Sequence, residues 1–184
     1  MILVEAEPLT EFVVRAKAGQ SDAWDALLRR YQLPLYTFVY ELIHQEQASL
    51  DIVQETFIKA VRHIAKLRED SKFGSWLFGI AHQGVRQHRR TAGRRIEIEP
   101  ETLDLLPSDE VEAGELLIQE EDKAALFDCL DRLPSARRTV LLLHFIEGFS
   151  LADIAGITDS QIGTVKSRLH YAKKSLRHLL KKTL

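Results

Sequence analysis

The chain has 184 residues, 45% of them apolar and 28% charged, with a net charge of −2; this is the profile of a soluble globular protein with room for one ordinary domain or two small ones. Its longest apolar runs, around Trp76–Ala81 and Val140–Leu143, are far too short to span a bilayer. No basic residue precedes Arg15, which argues against a secretory leader and for a cytoplasmic protein, and the single cysteine, Cys129, excludes an intramolecular disulfide or a cysteine-rich zinc site.

Few residues break helix: five prolines and nine glycines in the whole chain, so it reads as all-α. The first twenty residues show no clear pattern. From Asp22, the positions Trp24, Leu27, Leu28, Tyr31 and Leu35 follow helical spacing, with Pro34 expected to bend or interrupt the helix and a second helix expected over Tyr36–Gln45. A third spans about Leu50 to Leu67, with Val53, Phe57, Ala60, Val61 and Ile64 on its core side. A fourth runs from Phe73 to about Arg90, with Phe73, Trp76, Leu77, Ile80 and Gly84 inward. Between about Arg95 and Ala113 the pattern fails in an acidic, proline-punctuated segment that reads as a linker or as an acidic loop packed on the basic block before it. Helices return from Glu115. Ser135 opens one that extends to Glu147, with Gly148 as its stop; Ser150 is an N-cap for Leu151–Ile157; Thr158-Asp159-Ser160 is a turn; and a long helix covers about Gln161 to Lys181.

Charge follows this organisation. Residues 71–95 hold six Lys/Arg and no acid, residues 96–131 sum to −12, and residues 132–184 sum to +7. Solvated helix faces would explain any one block; two basic blocks around an acidic one fit phosphate contacts better.

A short helix, a tight turn and a longer helix at 150–181 form a helix-turn-helix. At about 100° per residue, Ile162, Val165, Leu169, Ala172, Leu176 and Leu179 share one stripe. Opposite lie Ser160, Thr164, Ser167, His170, Tyr171, Lys174 and Lys181, with no acid among them. Hydroxyls and an amphipathic ring can approach base edges, and Lys166, Arg168, Lys173, Lys174 and Arg177 can reach phosphates. The strings Leu133-Pro134-Ser135-Ala136-Arg137-Arg138, Gly148-Phe149-Ser150-Leu151-Ala152-Asp153-Ile154-Ala155 and Gly163-Thr164-Val165-Lys166-Ser167-Arg168-Leu169 closely resemble region 4 of the extracytoplasmic-function (ECF) sigma factors of bacterial RNA polymerase, within the sigma-70 superfamily.

The resemblance continues upstream. Asp51-Ile52-Val53-Gln54-Glu55-Thr56-Phe57 resembles the core-binding helix of region 2, and Phe73-Gly74-Ser75-Trp76-Leu77-Phe78-Gly79-Ile80-Ala81 the entry to its promoter-melting helix. On the third helix, Asp51, Gln54, Glu55, Ile58 and Arg62 face away from the core stripe; Ile58 is either a stray surface residue or part of a protein interface, and the resemblance implies docking on the largest (β′) subunit of the polymerase. On the fourth, Ser75, Phe78, His82, Arg86 and Arg89 lie opposite the inner stripe, and Arg90, Arg94 and Arg95 extend the charge. An aromatic among basic residues suits single-stranded DNA; Phe78 fits either that role or the core. The resemblance implies capture of the melted −10 strand by the loop before this helix and its outer face, which nominates Lys72, Ser75, His82, Gln83 and Arg86, with Arg89 and Arg90 alongside.

The chain departs from the family at His82-Gln83 (commonly Arg-Asn), Gln87 (often Asp), Asp159 (usually Gly in the turn), Tyr171 (usually Arg) and Leu50 (commonly acidic). These changes bear on promoter sequence rather than on fold, and Asp tolerates the left-handed backbone a tight turn needs. The scattered histidines have no metal-ligand spacing, and no phosphate loop, nucleophile elbow or Cys-His pair is present, so neither a cofactor nor an enzyme is expected. The expected organisation is a core-binding and −10 module over 1–95, an acidic linker over 96–114 and a −35 module over 115–184. The implied partners are core RNA polymerase (β′ and β subunits), promoter DNA and an anti-sigma factor. The alternatives are an autonomous helix-turn-helix regulator and an adaptor that binds polymerase without reading DNA.

Overall fold

A computed structural model describes residues 8–93 and 129–183. The chain divides into two compact units, Met1–Arg94 and Arg95–Leu184. All regular elements among the described residues are helical. The acidic segment 96–114 and the return of helix at Glu115 lie outside the described residues.

The first unit holds α1 (Leu9–Lys17), α2 (Ser21–Ile43), α3 (Glu46–His63) and α4 (Phe73–Thr91). The patternless start conceals α1, which buries Val13 and Ala16 and ends before Gly19 at φ 82°. Pro34 does not interrupt the helix: one helix of 23 residues runs through it, and the separate helix expected over Tyr36–Gln45 is its C-terminal part. An interior proline removes one intrahelical hydrogen bond and clashes with the preceding turn, a cost of about 3 kcal/mol. Ala23 and Leu27 on one side, and Leu35, Phe38, Val39, Leu42 and Ile43 on the other, are all buried, so packing on both flanks holds the axis together. The helix ends at His44, in left-handed backbone (φ 52°), whose N–H donates to the Tyr40 carbonyl at 2.7 Å.

Helix α3 begins four residues earlier than expected. It buries Ser49 and Thr56 because each hydroxyl donates to the carbonyl one turn back, of Gln45 (2.8 Å) and Ile52 (2.7 Å), so no polar atom of theirs is left unpaired. Glycine allows α4 to approach closely at two points. A Cβ on Gly84 would lie 3.0 Å from the Ile52 side chain, and one on Gly74 3.0 Å from the Tyr31 hydroxyl. The buried stripe of α4 is Phe73, Gly74, Leu77, Phe78, Ala81 and Val85. It is rotated from the expected one, with Trp76, Ile80 and Gly84 only half-buried.

In the second unit, Cys129, Leu130 and Leu133 are buried ahead of α5 (Ser135–Leu141), which passes into a π-helical turn over Leu142–Ile146. The expected single helix to Glu147 thus changes pitch. Val140–Leu143 are four consecutive buried residues, more than one face of a regular helix accepts, and a wider turn shifts the register beyond them, so that Phe145 and Ile146 emerge exposed. Gly148 follows at φ 71°. Ser150 caps α6 (Leu151–Thr158), its hydroxyl accepting from the Asp153 N–H at 3.2 Å. Asp159 adopts φ 52°, as a tight turn without glycine requires, and α7 (Ile162–Thr183) follows. Val165, Leu169, Ala172 and Leu176 are buried as the stripe predicts. Ile162, in the first turn beyond the packed region, is 47% exposed, and Leu179 is half-buried.

Candidate nucleic-acid and protein interfaces

From Ser160 to the C-terminus the chain carries seven Lys/Arg and no acid. On α7, away from its buried stripe, Lys166, His170 and Lys174 are exposed and Thr164, Ser167, Arg168 and Tyr171 are half-buried, as is Ser160 in the turn before the helix. Not all of these side chains point outward. Arg168 donates from Nη1 to the Ser160 hydroxyl at 3.0 Å, which ties the long helix to the turn, and Ser167 donates to the Thr164 carbonyl at 3.0 Å. The Arg137 guanidinium lies 5.4 Å from the Tyr171 ring centre, within cation–π range; Arg137 is a neighbour of this face that no sequence periodicity could indicate. Lys173 covers the Phe145 ring at 5.2 Å, and burial, with Arg177 nearby, lowers its pKa. Arg138 is structural, its guanidinium held by the Asp131 carbonyl at 2.5 Å and carboxylate at 3.1 Å. Gly163 faces open space: a Cβ there would meet nothing within 4 Å.

On α4 the outer face carries no acid. Lys72, Gln83, Arg86 and Arg90 are exposed, while Ser75, His82 and Arg89 are half-buried. Ser75 donates to the Lys72 carbonyl at 3.1 Å, which closes the turn into the helix. Arg90 bonds Gln87 on its own helix. Arg89 donates to the Leu42 carbonyl at the end of α2; its guanidinium therefore joins two helices, a use that helix periodicity alone does not distinguish from an outward one. Phe78 belongs to the core: it is 1% exposed, with its ring centre 5.3 Å from that of Phe38. The aromatic at the edge of the basic face is Trp76, half-buried and braced by Phe73 at 5.9 Å. Sequence reasoning put Trp76 inside because one residue of stripe rotation separates the two assignments.

The α2–α3 pair forms a shallow groove of about 500 Å³. Val53 and Phe57 form its floor, Leu28, Leu50, Ile58 and Val61 its walls, and Gln54 and Arg62 its rim. Asp51 and Glu55 are exposed on the same helix; Gln47 donates to Asp51 at 3.0 Å, and Lys59 lies 3.6 Å from Glu55. Leu50, Ile58 and Val61 are 47%, 37% and 52% exposed. Val61 is therefore a surface residue rather than the core position that helical spacing suggests, and Ile58 has apolar company. A contiguous apolar patch with a polar rim marks a protein-binding surface.

Among the described residues, no helix is long and apolar enough to cross a membrane. The sequence profile of sigma-70 region 2 matches residues 27–95, and that of sigma-70 region 4 matches residues 123–176. The chain is 31% identical to the RNA polymerase sigma-H factor of Pseudomonas aeruginosa, over 95% of this chain and 94% of that one. It is equally 31% identical to the ECF sigma-E factor of Haemophilus influenzae, over 94% and 96%. Among solved structures it is similar to the sigma factor RpoE of Bartonella quintana, crystallised with the anti-sigma factor NepR (26% identity, TM-score 0.66, 86% of this chain and 96% of that one). It shares its fold with CnrH, solved in complex with the cytosolic domain of CnrY (21% identity, TM-score 0.68, 95% and 97% coverage).

Proposed function

The chain belongs to the ECF family of RNA polymerase sigma factors, and on that premise we propose how its surfaces divide the work of promoter-specific initiation. A sigma factor binds core polymerase and recognises the −35 and −10 elements of a promoter; the family is not an enzyme class.

The observation that carries the division is the pairing, on both α4 and α7, of a buried apolar stripe with an acid-free basic face. An ordinary surface helix mixes charges of both signs, whereas a helix that meets nucleic acid keeps acids away from phosphates. In our reading α7 enters the major groove of the −35 element. Thr164, His170 and Tyr171 approach bases, and Lys166 and Lys174 reach phosphates, while Ser160, Ser167 and Arg168 shape the turn that presents them. The loop before α4 and the outer face of that helix (Lys72, Ser75, His82, Gln83, Arg86 and Arg90) hold the melted −10 strand, with Trp76 as the stacking platform and Arg89 as the bond that fixes the helix. The α2–α3 groove, with Asp51, Gln54, Glu55 and Ile58 around it, docks on a helical element of the β′ subunit. Residues 1–95 thus serve the core and the −10 element, and residues 115–184 the −35 element. The acidic stretch 96–114 joins them and imitates nucleic acid along the polymerase channel. The protein works in the cytoplasm under an anti-sigma factor, as the Bartonella complex exemplifies for its own chain.

Run-off transcription with core polymerase on a pool of genomic promoter fragments tests the reading. Start sites that appear only with this protein, and that share two upstream elements, are the expected result. Tight duplex binding by the protein alone, with no new transcripts, would instead identify an autonomous regulator.

A further inference from the structure

Helix α1 precedes the region matched by the region 2 profile, and its last residue reaches across to the loop that leads into α4. Two single-turn 3-10 helices, Ile64–Lys66 and Asp70–Lys72, bracket that loop. Each turn closes itself, by Leu67 N–H to the Ile64 carbonyl and by Lys72 N–H to the Glu69 carbonyl, both at 3.0 Å. The extended stretch between them gains no such closure: Leu67 and Glu69 are both in β backbone, and Arg68, Glu69 and Ser71 are exposed. Lys17 spans it. Its ammonium donates to the Leu67 carbonyl at 2.7 Å and pairs with the Asp70 carboxylate, so one side chain holds both ends of the open stretch. The two charged side chains are only 26% and 29% exposed, so water and salt compete with the pair less than with a surface one. The supporting helix is itself fixed. Val13 and Ala16 are buried, and Arg15 bonds Gln20 at 2.8 Å and pairs with Asp22 at the start of α2.

We infer that Lys17 is a positioning residue for strand capture: it sets the shape of the 67–72 loop, and hence which base of the melted promoter element that loop accepts, without touching DNA itself. The inference rests on the assignment of this loop to the −10 strand. Exposed loops that bind specifically need a scaffold to hold them, because ordering them at the moment of binding subtracts from affinity. A pocket that reads a flipped base needs its walls in place before the base arrives. A structural ion pair alone would stabilise the unit and leave base choice unchanged.

The test uses the full chain assembled with core polymerase. Single-stranded oligonucleotides carry the non-template −10 element found by run-off transcription, with each position replaced in turn. Lys17→Met keeps the stem and removes the charge, Lys17→Arg keeps a donor cation, and Asp70→Asn removes the carboxylate charge. The expected result is that K17M and D70N each lose about tenfold in discrimination at one position, the scale of one specific base contact. K17R retains most of that selectivity, and affinities for core and for −35 duplex stay within about twofold of wild type, the level at which distant sites remain independent. Unchanged base discrimination in K17M and D70N would overturn the inference. So would a uniform fall of core, duplex and single-strand affinities together with a lower melting temperature, since that is the signature of a purely structural contact. If wild-type holoenzyme itself showed no base preference on single strands, the strand-capture assignment would fail first, and the role of Lys17 with it.

Discussion

Gly163 lies in the first turn of α7 without positive φ, and a Cβ there would meet no other side chain and no backbone beyond its own helical turn within 4 Å, its chain neighbours aside. Nothing inside the protein therefore calls for glycine. Replacing glycine by alanine in a helix contributes about 0.5–1 kcal/mol, mainly by narrowing the unfolded ensemble. For a unit of this size that corresponds to a rise of roughly 2–8 °C in melting temperature. The position is also beside the face proposed to meet the −35 element, one residue before Thr164. If the DNA backbone passes over this turn, an added methyl meets it and binding weakens even as the fold strengthens. G163A should therefore melt higher by circular dichroism while binding a −35 duplex about tenfold more weakly in fluorescence anisotropy, the scale of a 1.4 kcal/mol clash. Holoenzyme assembly should be unchanged. Full DNA affinity in a stabilised G163A would show that DNA does not approach this turn. A destabilised variant would refute the open space at Gly163.

The buried Phe78 and the half-buried Trp76 should separate cleanly: F78A should lose about 3–5 kcal/mol of stability in urea, as for a large core truncation, whereas W76A should unfold nearer wild type but lose roughly 1–3 kcal/mol of single-strand affinity, the worth of one stacked base. Val61→Asp adds a charge to an exposed groove wall, so the melting temperature should hold within a few degrees while pull-down by core polymerase collapses; retained core binding would mean the groove is not the docking site. Burial raises the pKa of Glu147 above its ordinary 4.5, so the folded state holds this proton more tightly than the unfolded chain does. That contribution is complete below the unfolded value and is lost as pH rises through the folded one. Glu147→Gln should therefore be more stable than wild type at pH 7, with the gap closing as pH approaches 4.5; an equal gap at both ends would contradict burial as the cause.

Much of this organisation was legible locally. The Ser150 cap, the left-handed Asp159 and the central stripe of α7, Val165, Leu169, Ala172 and Leu176, are properties of a few neighbouring residues and lie where the local sequence predicts, whereas the ends of that stripe, Ile162 and Leu179, do not pack as fully. Helix α1 carried usable signals as well: Pro8 at its entry, Val13 and Ala16 three apart, and Gly19 beyond its end. With no side-chain cap at its entry and only two buried positions, it lacks the cap that marks α6 and the full apolar stripe that marks α2, α3 and α4. At Pro34 the local penalty favours an interruption, but the apolar residues buried on both sides of it keep one helix.

By itself the sequence determined the helical class, the basic faces, the Ser150 cap of α6 and the turn between α6 and α7, because periodicity, capping and charge act over one or two helical turns; the order of the two sigma-like modules was carried by the resemblance of their motif strings to the family. Tertiary structure decided which side of each helix meets a neighbour. It put Phe78 inside against Phe38 and left Trp76 at the rim; it turned Val61 out to join Leu50 and Ile58 in a groove; and it brought Arg89 to the Leu42 carbonyl and Lys17 to Leu67 and Asp70. Each of those outcomes joins residues about 10 to 50 positions apart or depends on a rotation of one helix by a single residue, and only the packing of several helices around one core selects among such alternatives.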